Sequence, residues 1–173
     1  VGKSTLFNQL TKTRDALVAD YSGLTRDRKY GEGRCGAKRF IVIDTGGITG
    51  QEEGVDFAMA AQSLAAIDEA DVVLLMVDGR TGLQVGDQNL VRLLREHNKP
   101  FELVVNKIDG VGEDVAASDF HSLGVAQLHT IAATHNRGVR TMIAEVMAAF
   151  VDTDSETDEG VSGIRVAVVG RPN

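Results

Sequence analysis

The chain has little of several features that would place it outside the cell or in a membrane. Cys35 is the only cysteine among its 173 residues, which excludes an internal disulfide and suits a reducing compartment. No apolar run approaches the ~20 residues that a membrane span needs, and the N-terminus has no signal-peptide pattern. We therefore expect a cytoplasmic protein with no membrane partner.

The chain also lacks an excess of basic residues. Its formal net charge is −7, and the stretch from Asp152 to Glu159 holds five acidic residues and no basic one. Without this stretch the chain is close to neutral, so its charge gives no evidence for binding to nucleic acid or to a membrane. With 43% hydrophobic residues, a chain of this length can bury one good core, so one domain is the default.

Helical and strand patterns alternate along the chain. The predicted helices are Ser4–Lys12, Phe57–Glu69, Asp87–His97, Asp114–Leu123 and Val139–Phe150. The predicted strands are Tyr30–Arg34, Lys38–Asp44, Val72–Val77, Phe101–Val105, Gln127–Ile131 and Ile164–Val169. This alternation predicts an α/β fold with a mostly parallel sheet and helices on both faces. In such sheets ligands bind beyond the carboxyl ends of the strands.

A first motif, Gly2-Lys3-Ser4-Thr5, opens the first predicted helix. Glycine permits close backbone approach, lysine reaches the β- and γ-phosphates, and the serine hydroxyl is a ligand for Mg²⁺. The free amides of a helix N-terminus also favour an anion. By itself the motif fits an ordinary helix start equally well.

A second motif, Asp44-Thr45-Gly46-Gly47, follows the predicted strand Lys38–Asp44. A carboxylate there can hold Mg²⁺ through a water, and Gly47 can offer its backbone N–H to a γ-phosphate. Taken alone, this segment is better explained as a strand-terminating turn.

A third motif, Asn106-Lys107-Ile108-Asp109, indicates which base is bound. An aspartate at this place can accept the N1–H and the exocyclic amine of guanine, a donor pair that adenine lacks, and the lysine stem can lie along the ring. Three motifs in this order, each at a strand end, match what one nucleotide site requires. The set predicts a guanine-nucleotide site.

These residues resemble the translation-factor-related P-loop GTPases, and in particular the bacterial Der (EngA) family of double-domain GTPases that act in ribosome assembly. The resemblance covers almost the whole chain and is carried by Val1–Asn8, Gly23–Arg28, Asp44–Ile48 and Asn106–Asp109. It implies the P-loop NTPase fold and Mg²⁺-dependent hydrolysis of GTP to GDP and phosphate. It also implies a role in assembly of the large (50S) ribosomal subunit, with that subunit or its precursor as partner.

The resemblance assigns roles residue by residue. The catalytic residues it implies are Lys3, Thr25 and Gly47, and the metal ligands are Ser4, Thr25 and Asp44. The nucleotide is bound by residues of all three motifs and by Ala133, whose backbone N–H is expected to contact the base oxygen. These nucleotide-binding residues are Gly2, Lys3, Ser4, Thr5, Asp44, Gly47, Asn106, Lys107, Asp109 and Ala133.

The chain departs from the family pattern near the base. The segment Ile131–Asn136 has alanine at 132 and asparagine at 136, where the family usually has serine and glycine. Since the contact expected of Ala133 uses the backbone, we expect GTP binding to survive. His135 in this segment is interpreted as a solvated loop histidine.

A second departure concerns hydrolysis. Ile48 follows Gly47, at the position where many GTPases have the glutamine that orients the attacking water, and isoleucine cannot do this. Related enzymes use backbone groups and a K⁺ ion held by an asparagine of the phosphate loop. The resemblance therefore implies slow turnover that K⁺ accelerates.

The two ends of the sequence match one motif. Gly170-Arg171-Pro172-Asn173 joined to Val1-Gly2-Lys3-Ser4 gives a complete Gly-x-x-x-x-Gly-Lys-Ser. We interpret residues 1–150 as a first GTPase domain without its first strand and half of its phosphate loop. Residues 151–163 are then an acidic linker, and residues 164–173 begin a second GTPase domain of the same parent chain. We further hypothesise that the C-terminal strand fills the position of the missing strand, within one chain or between two.

Other functions stay open at this point. Because the orienting glutamine is absent, a module that senses GTP with little turnover is one alternative. A related GTPase of tRNA modification is another.

Overall fold

The computed structural model describes residues 1–11, 29–45, 64–109, 112–150 and 163–171. Within these ranges six strands form one sheet in the order β1-β2-β6-β3-β4-β5. The strands are β1 (Lys29–Cys35), β2 (Lys38–Asp44), β3 (Val72–Asp78), β4 (Phe101–Asn106), β5 (Leu128–Thr130) and β6 (Ile164–Gly170). Only the β1–β2 pair is antiparallel among these strands, so the predicted mostly parallel sheet is confirmed.

Helices cover both faces of the sheet, as the sequence predicts. The helices are α1 (Lys3–Thr11), α2 (Val85–Glu96), α3 (Glu113–Ser118) and α4 (Val139–Ala148), and residues 64–69 are also helical. Side chains of α1 and α4 share one core cluster with the sheet. Residues 64–69, α2 and the 3₁₀ turn Asp119–Leu123 after α3 form the cluster on the other face. In the described ranges no helix is both long and apolar enough to cross a bilayer.

The observed ends of α2 have a clear physical cause. The helix begins at Val85 after Gln84, which forms a capping box with Asp87. It ends at Glu96, and Asn98 then adopts a positive φ of 51°, a conformation that asparagine tolerates. The sequence predicts both ends of this helix to within two residues. By contrast, the helix predicted at Asp114–Leu123 is α3 followed by a 3₁₀ turn.

Strand β6 lies in the middle of the sheet, between β2 and β3. Ala167 is paired with Ile43 on one side and Val73 on the other. Val166, Ala167 and Val168 are fully buried, as expected for a parallel strand covered on both faces. Ile164–Gly170 therefore lies where the strand-completion hypothesis places it.

Two glycines of β1 let α1 approach the sheet closely. A Cβ at Gly31 would lie 2.3 Å from Thr11 Cγ2, and one at Gly33 would lie 2.9 Å from the Leu10 carbonyl oxygen. Atoms at these distances overlap, so larger residues would push the helix away. This packing fixes α1 and therefore the position of its N-terminus, where the first motif lies.

Candidate functional site

The candidate site lies at the carboxyl edge of the parallel strands. β2 ends at Asp44, β3 at Asp78, β4 at Asn106 and β6 at Gly170. Because these strands run in the same direction, their last residues meet at one edge, where α/β sheets bind ligands. The N-terminus of α1 lies at the same edge, since Lys3 contacts Gly170.

Lys3 connects α1 to the segment that follows β6. Its Nζ donates to the Gly170 carbonyl at 2.9 Å and to the Arg171 carbonyl at 3.1 Å. A Cβ at Gly170 would lie 3.0 Å from Val1 Cγ2, so the two segments are in direct contact. Residues 170–171 and 1–3 therefore lie side by side as two parts of one loop region, although they lie at opposite ends of the sequence.

Gly2 is required in this loop for two reasons. Its φ of +93° lies in the left-handed region. A Cβ would also lie 2.6 Å from Asn106 Nδ2, which is too close for any other residue. The glycine of the first motif therefore permits both the loop conformation and its contact with the third motif.

The N-terminus of α1 lies beside this loop. The Gly2 carbonyl accepts the first helical hydrogen bond, from Leu6 N–H at 3.0 Å. The amides before Leu6 precede the first intrahelical bond, as at any helix start. Ser4 and Thr5 are exposed, so their hydroxyls can reach a ligand. This end of α1 suits an anion.

Lys3 brings a positive charge into the loop. Burial lowers the pKa of Lys3, and the nearby carboxylate of Asp44 opposes that shift. An anionic ligand in contact with Lys3 would likewise oppose it and stabilise the charged lysine.

The side chain of Asn106 joins two loops of the site. Its Nδ2 donates to the Val1 carbonyl at 2.9 Å, and its Oδ1 accepts the backbone N–H of Ala133 at 3.0 Å. Asn106 is buried, and both bonds are too. This residue therefore ties the first motif to the segment Ile131–Asn136.

Lys107 has a conformation that suggests a functional constraint. Its φ is +65°, which is uncommon for a residue with a side chain. Its Nζ lies 2.5 Å from Asp78 Oδ2. Burial alone would raise the pKa of Asp78, but the hydrogen bonds from Lys107 and from the Arg80 backbone lower it below its ordinary value. An ionised Asp78 therefore holds the lysine stem in place.

Asp109 lies beside two positively chargeable groups. Its Oδ2 is 3.8 Å from Arg80 Nη2, and its Oδ1 is 3.7 Å from His135 Nε2. Both partners are more than half exposed, with side-chain exposures of 57% and 69%. The exposure of His135 agrees with its interpretation as a solvated loop histidine, although the contact with Asp109 was not expected.

Asparagine at position 136 fits the local backbone. Asn136 has φ 53° and ψ 25°, in the left-handed region. Glycine adopts this conformation without strain, and asparagine is among the few other residues that tolerate it. The departure from glycine at this position therefore preserves the turn.

The structure brings together most of the predicted site residues. Lys3, Asp44, Asn106 and Ala133 lie at one edge of the sheet with their sequence neighbours Gly2, Ser4, Thr5, Lys107 and Asp109. Thr25, Gly47 and Ile48 lie outside the described residues. In the described part of the chain, no cluster of three or more His, Cys, Asp or Glu side chains is arranged to hold a metal ion.

Sequence reasoning assigned no role at this edge to Asp78, Arg80 or Asp87, and it placed Arg171 only as a variable position of the phosphate motif. Asp78 and Arg80 contact the third motif, and Arg171 forms an ion pair with Asp87 at the start of α2. Asp78-Gly79 directly follows a predicted strand, and this position could have indicated that Asp78 belongs to the site. No pattern in the sequence indicates the ion pair of Arg171 and Asp87, because only the fold brings the two together.

Comparison with known proteins places this site in a family. The profile of the family described as 50S ribosome-binding GTPase matches residues 1–107. The chain belongs to that family. The matched residues include the first and second motifs and the start of the third, so the family assignment rests on the same residues as the site.

Curated relatives confirm the resemblance to the Der family. The chain is 59% identical over 177 residues to the GTPase Der of Marinomonas sp. (strain MWYL1). It is 58% identical over 174 residues to that of Cellvibrio japonicus (strain Ueda107). Each alignment covers 100% of this chain but only 40% and 37% of the relatives, respectively. The chain thus spans less than half of their length.

Solved structures support the fold. The chain matches Era in complex with MgGDPNP and a segment of 16S ribosomal RNA, with a TM-score of 0.70 and 24% identity over 91% of this chain and 55% of that chain. It also matches the cytosolic domain of FeoB from T. maritima in a GDP form, with a TM-score of 0.61 and 20% identity over 93% of this chain and 62% of that chain. The predicted P-loop GTPase fold is confirmed.

Proposed function

We propose that this chain binds GTP and hydrolyses it to GDP and phosphate. The observation that carries the proposal is the pair of buried hydrogen bonds made by Asn106, to the Val1 carbonyl and the Ala133 amide. Through these bonds the phosphate motif and the base motif form parts of one site. A single guanine nucleotide can then contact both.

In this proposal the phosphates bind at the N-terminus of α1. Lys3 is held by the carbonyls of Gly170 and Arg171 and neutralises the β- and γ-phosphates. The backbone amides at the start of α1 donate to the same oxygens. Burial lowers the pKa of Lys3, and the negative charge of the phosphates would raise it again by stabilising the charged lysine.

The residues at this edge also fit Mg²⁺. The hydroxyl of Ser4 and the buried carboxylate of Asp44 are oxygen ligands, and Mg²⁺ needs few protein ligands because it keeps several waters. When bound, the ion neutralises charge on the β- and γ-phosphates. Thr25 is proposed as a further ligand and Gly47 as a γ-phosphate donor.

Guanine recognition is assigned to Asp109. Its carboxylate accepts from N1–H and the exocyclic amine, and Lys107 lies along the ring. The base oxygen is proposed to share the Ala133 amide with Asn106, which already accepts from it.

The experiment that tests the proposal is competition for fluorescent GDP bound to the intact chain in Mg²⁺ and K⁺ buffer, followed by phosphate release from GTP. We expect displacement by GTP and GDP but not by ATP, and slow phosphate release. Displacement by ATP at the same concentration would contradict guanine recognition. Tight binding of GTP with no release would favour the alternative of a GTP-sensing module.

Acceleration of hydrolysis by K⁺ is a separate proposal. Its support is Ile48, which cannot orient a water. Turnover should be faster in K⁺ than in Na⁺ at equal ionic strength. Equal rates in the two salts would contradict it.

The parent protein is proposed to act in assembly of the 50S subunit. The support is the family's description as ribosome-binding and the relatives named GTPase Der. We propose that residues 1–150 form a first GTPase domain, that 151–163 form a linker and that 164–173 begin a second. The sequence of the full-length protein tests the domain assignment: Gly-Lys-Ser should follow Asn173 within two residues, and its absence would contradict a second GTPase domain there. Co-sedimentation of the full-length protein with 50S particles tests the ribosomal assignment, and its absence would contradict that assignment.

A further inference from the structure

Arg171 forms a partly buried ion pair with Asp87, a residue outside the three motifs. Its Nε donates to Asp87 Oδ1 at 2.9 Å. The Asp87 side chain is 0% exposed, and its Oδ2 accepts the backbone N–H of Gln84 at 3.1 Å. A carboxylate buried to this degree needs a cationic partner, and Arg171 supplies it.

Gly86 makes room for this ion pair. A Cβ at Gly86 would lie 2.6 Å from Arg171 Cδ and 3.4 Å from its Cγ. The stem of the arginine therefore crosses the first turn of α2 at the one point where the residue has no side chain. The side chain of Arg171 is fixed both by its charge partner and by packing.

The same arginine also contacts the lysine of the phosphate motif through its backbone. The Arg171 carbonyl accepts from Lys3 Nζ at 3.1 Å. A chain of contacts thus runs from the Asp87 carboxylate, through Arg171, to Lys3. A change that displaces the backbone of Arg171 would also move a carbonyl that orients the lysine.

We propose that Asp87 is a positioning residue for the phosphate loop, which acts through Arg171 on Lys3. The inference rests on the proposed binding of a guanine nucleotide and adds the start of α2 to the parts that determine its affinity. If Arg171 acted through its charge alone, loss of the Asp87 charge would make the loop more positive and strengthen nucleotide binding, whereas the positioning role predicts that it weakens binding.

Two variants of the intact chain test the inference. Asp87→Asn keeps the shape of the side chain and an oxygen for the Gln84 amide but removes the charge that holds Arg171. Because a hydrogen bond to a charged group is lost, we expect about tenfold weaker GDP binding. Gly86→Ala changes no charge and raises helix propensity. It should keep or raise the midpoint of unfolding and still weaken GDP binding several-fold.

Arg95→Ala is the matched control. Arg95 lies near the other end of α2 and donates to the carbonyls of Leu123 and Gly124 at 2.7 and 3.1 Å. Its loss removes an arginine from the same helix without touching the phosphate loop, so GDP affinity should stay within about twofold of the unaltered chain. Titration calorimetry gives the affinities, and urea unfolding gives the stabilities.

The outcomes separate this inference from the proposed function. An unaltered chain that binds no GDP overturns both. An unaltered chain that binds GDP, with Gly86→Ala at the same affinity, overturns the positioning role alone. Tighter binding by Asp87→Asn would show that Arg171 acts through its charge and would also overturn it. If Asp87→Asn does not fold, Gly86→Ala decides the question.

Discussion

The buried side chain of Asn106 uses both ends of its amide, one toward the phosphate loop and one toward the base loop. Asp109 lies three residues later, so one short segment supplies both the connection between the loops and the carboxylate for guanine. Residues this close in sequence can be predicted from a motif. Arg80 and Asp87 could not be assigned from the sequence, because each reaches the site through a contact that only the fold defines. Asp78 differs, because its position directly after a predicted strand was a usable signal.

Asp109→Asn should change which base is bound. The substitution replaces one acceptor oxygen by an NH₂ donor, which suits xanthine because xanthine has a carbonyl where guanine has its amine. We expect GDP to bind at least about tenfold more weakly and xanthosine diphosphate to bind better. Calorimetry with both nucleotides measures this, and Asp119→Asn, at an exposed position, is the control. Unchanged preference for GDP would refute the role of Asp109.

The ionisation of Lys3 should respond to nucleotide. Burial lowers its pKa below the ordinary value of 10.5, so the folded chain binds this proton less tightly than the unfolded chain does. Its contribution therefore favours folding more as pH rises from the lowered pKa toward 10.5. Bound GDP should raise the pKa again. NMR titration of ¹³C-methylated lysines, with Lys3 assigned through Lys3→Arg, would detect this, and a pKa unaffected by GDP would contradict contact with phosphate.

Among the elements, the strands were predicted best. The continuous apolar runs of β3 and β6 and the hairpin of β1 and β2 have patterns that few other structures produce. The order of the strands in the sheet cannot be predicted from local patterns, because pairing joins segments that are distant in the sequence. That β6 would lie between β2 and β3 could be proposed only from the match between the two ends of the sequence. No signal in the sequence indicated that the helix predicted at Asp114–Leu123 would end in a 3₁₀ turn.

The central position of β6 can be tested by shortening one of its buried side chains. Val168→Ala removes two methyl groups at a site that is 0% exposed, and should lower the free energy of unfolding by about 1–3 kcal/mol. Val85→Ala makes the same change at a site that is 71% exposed and should cost less than about 0.5 kcal/mol. Urea unfolding measures both. Equal small losses would show that β6 is not packed in the sheet.

At the scale of the whole molecule, the site is formed by segments from both ends of the chain. Residues 1–11 supply the lysine and the helix N-terminus, and residues 163–171 supply the central strand and the carbonyls that hold the lysine. The two are joined by the sheet, because β6 pairs with both β2 and β3. Nucleotide binding and completion of the sheet are therefore expected to depend on each other.

Titration of GDP into the intact chain and into a chain that ends at Gly163 tests this account most directly. The account predicts saturable, guanine-selective binding by residues 1–173 and none by residues 1–163, since the shorter chain lacks β6 and the Gly170 and Arg171 carbonyls. Binding of GDP with equal affinity by both chains would contradict it, because the site would then form without the C-terminal strand.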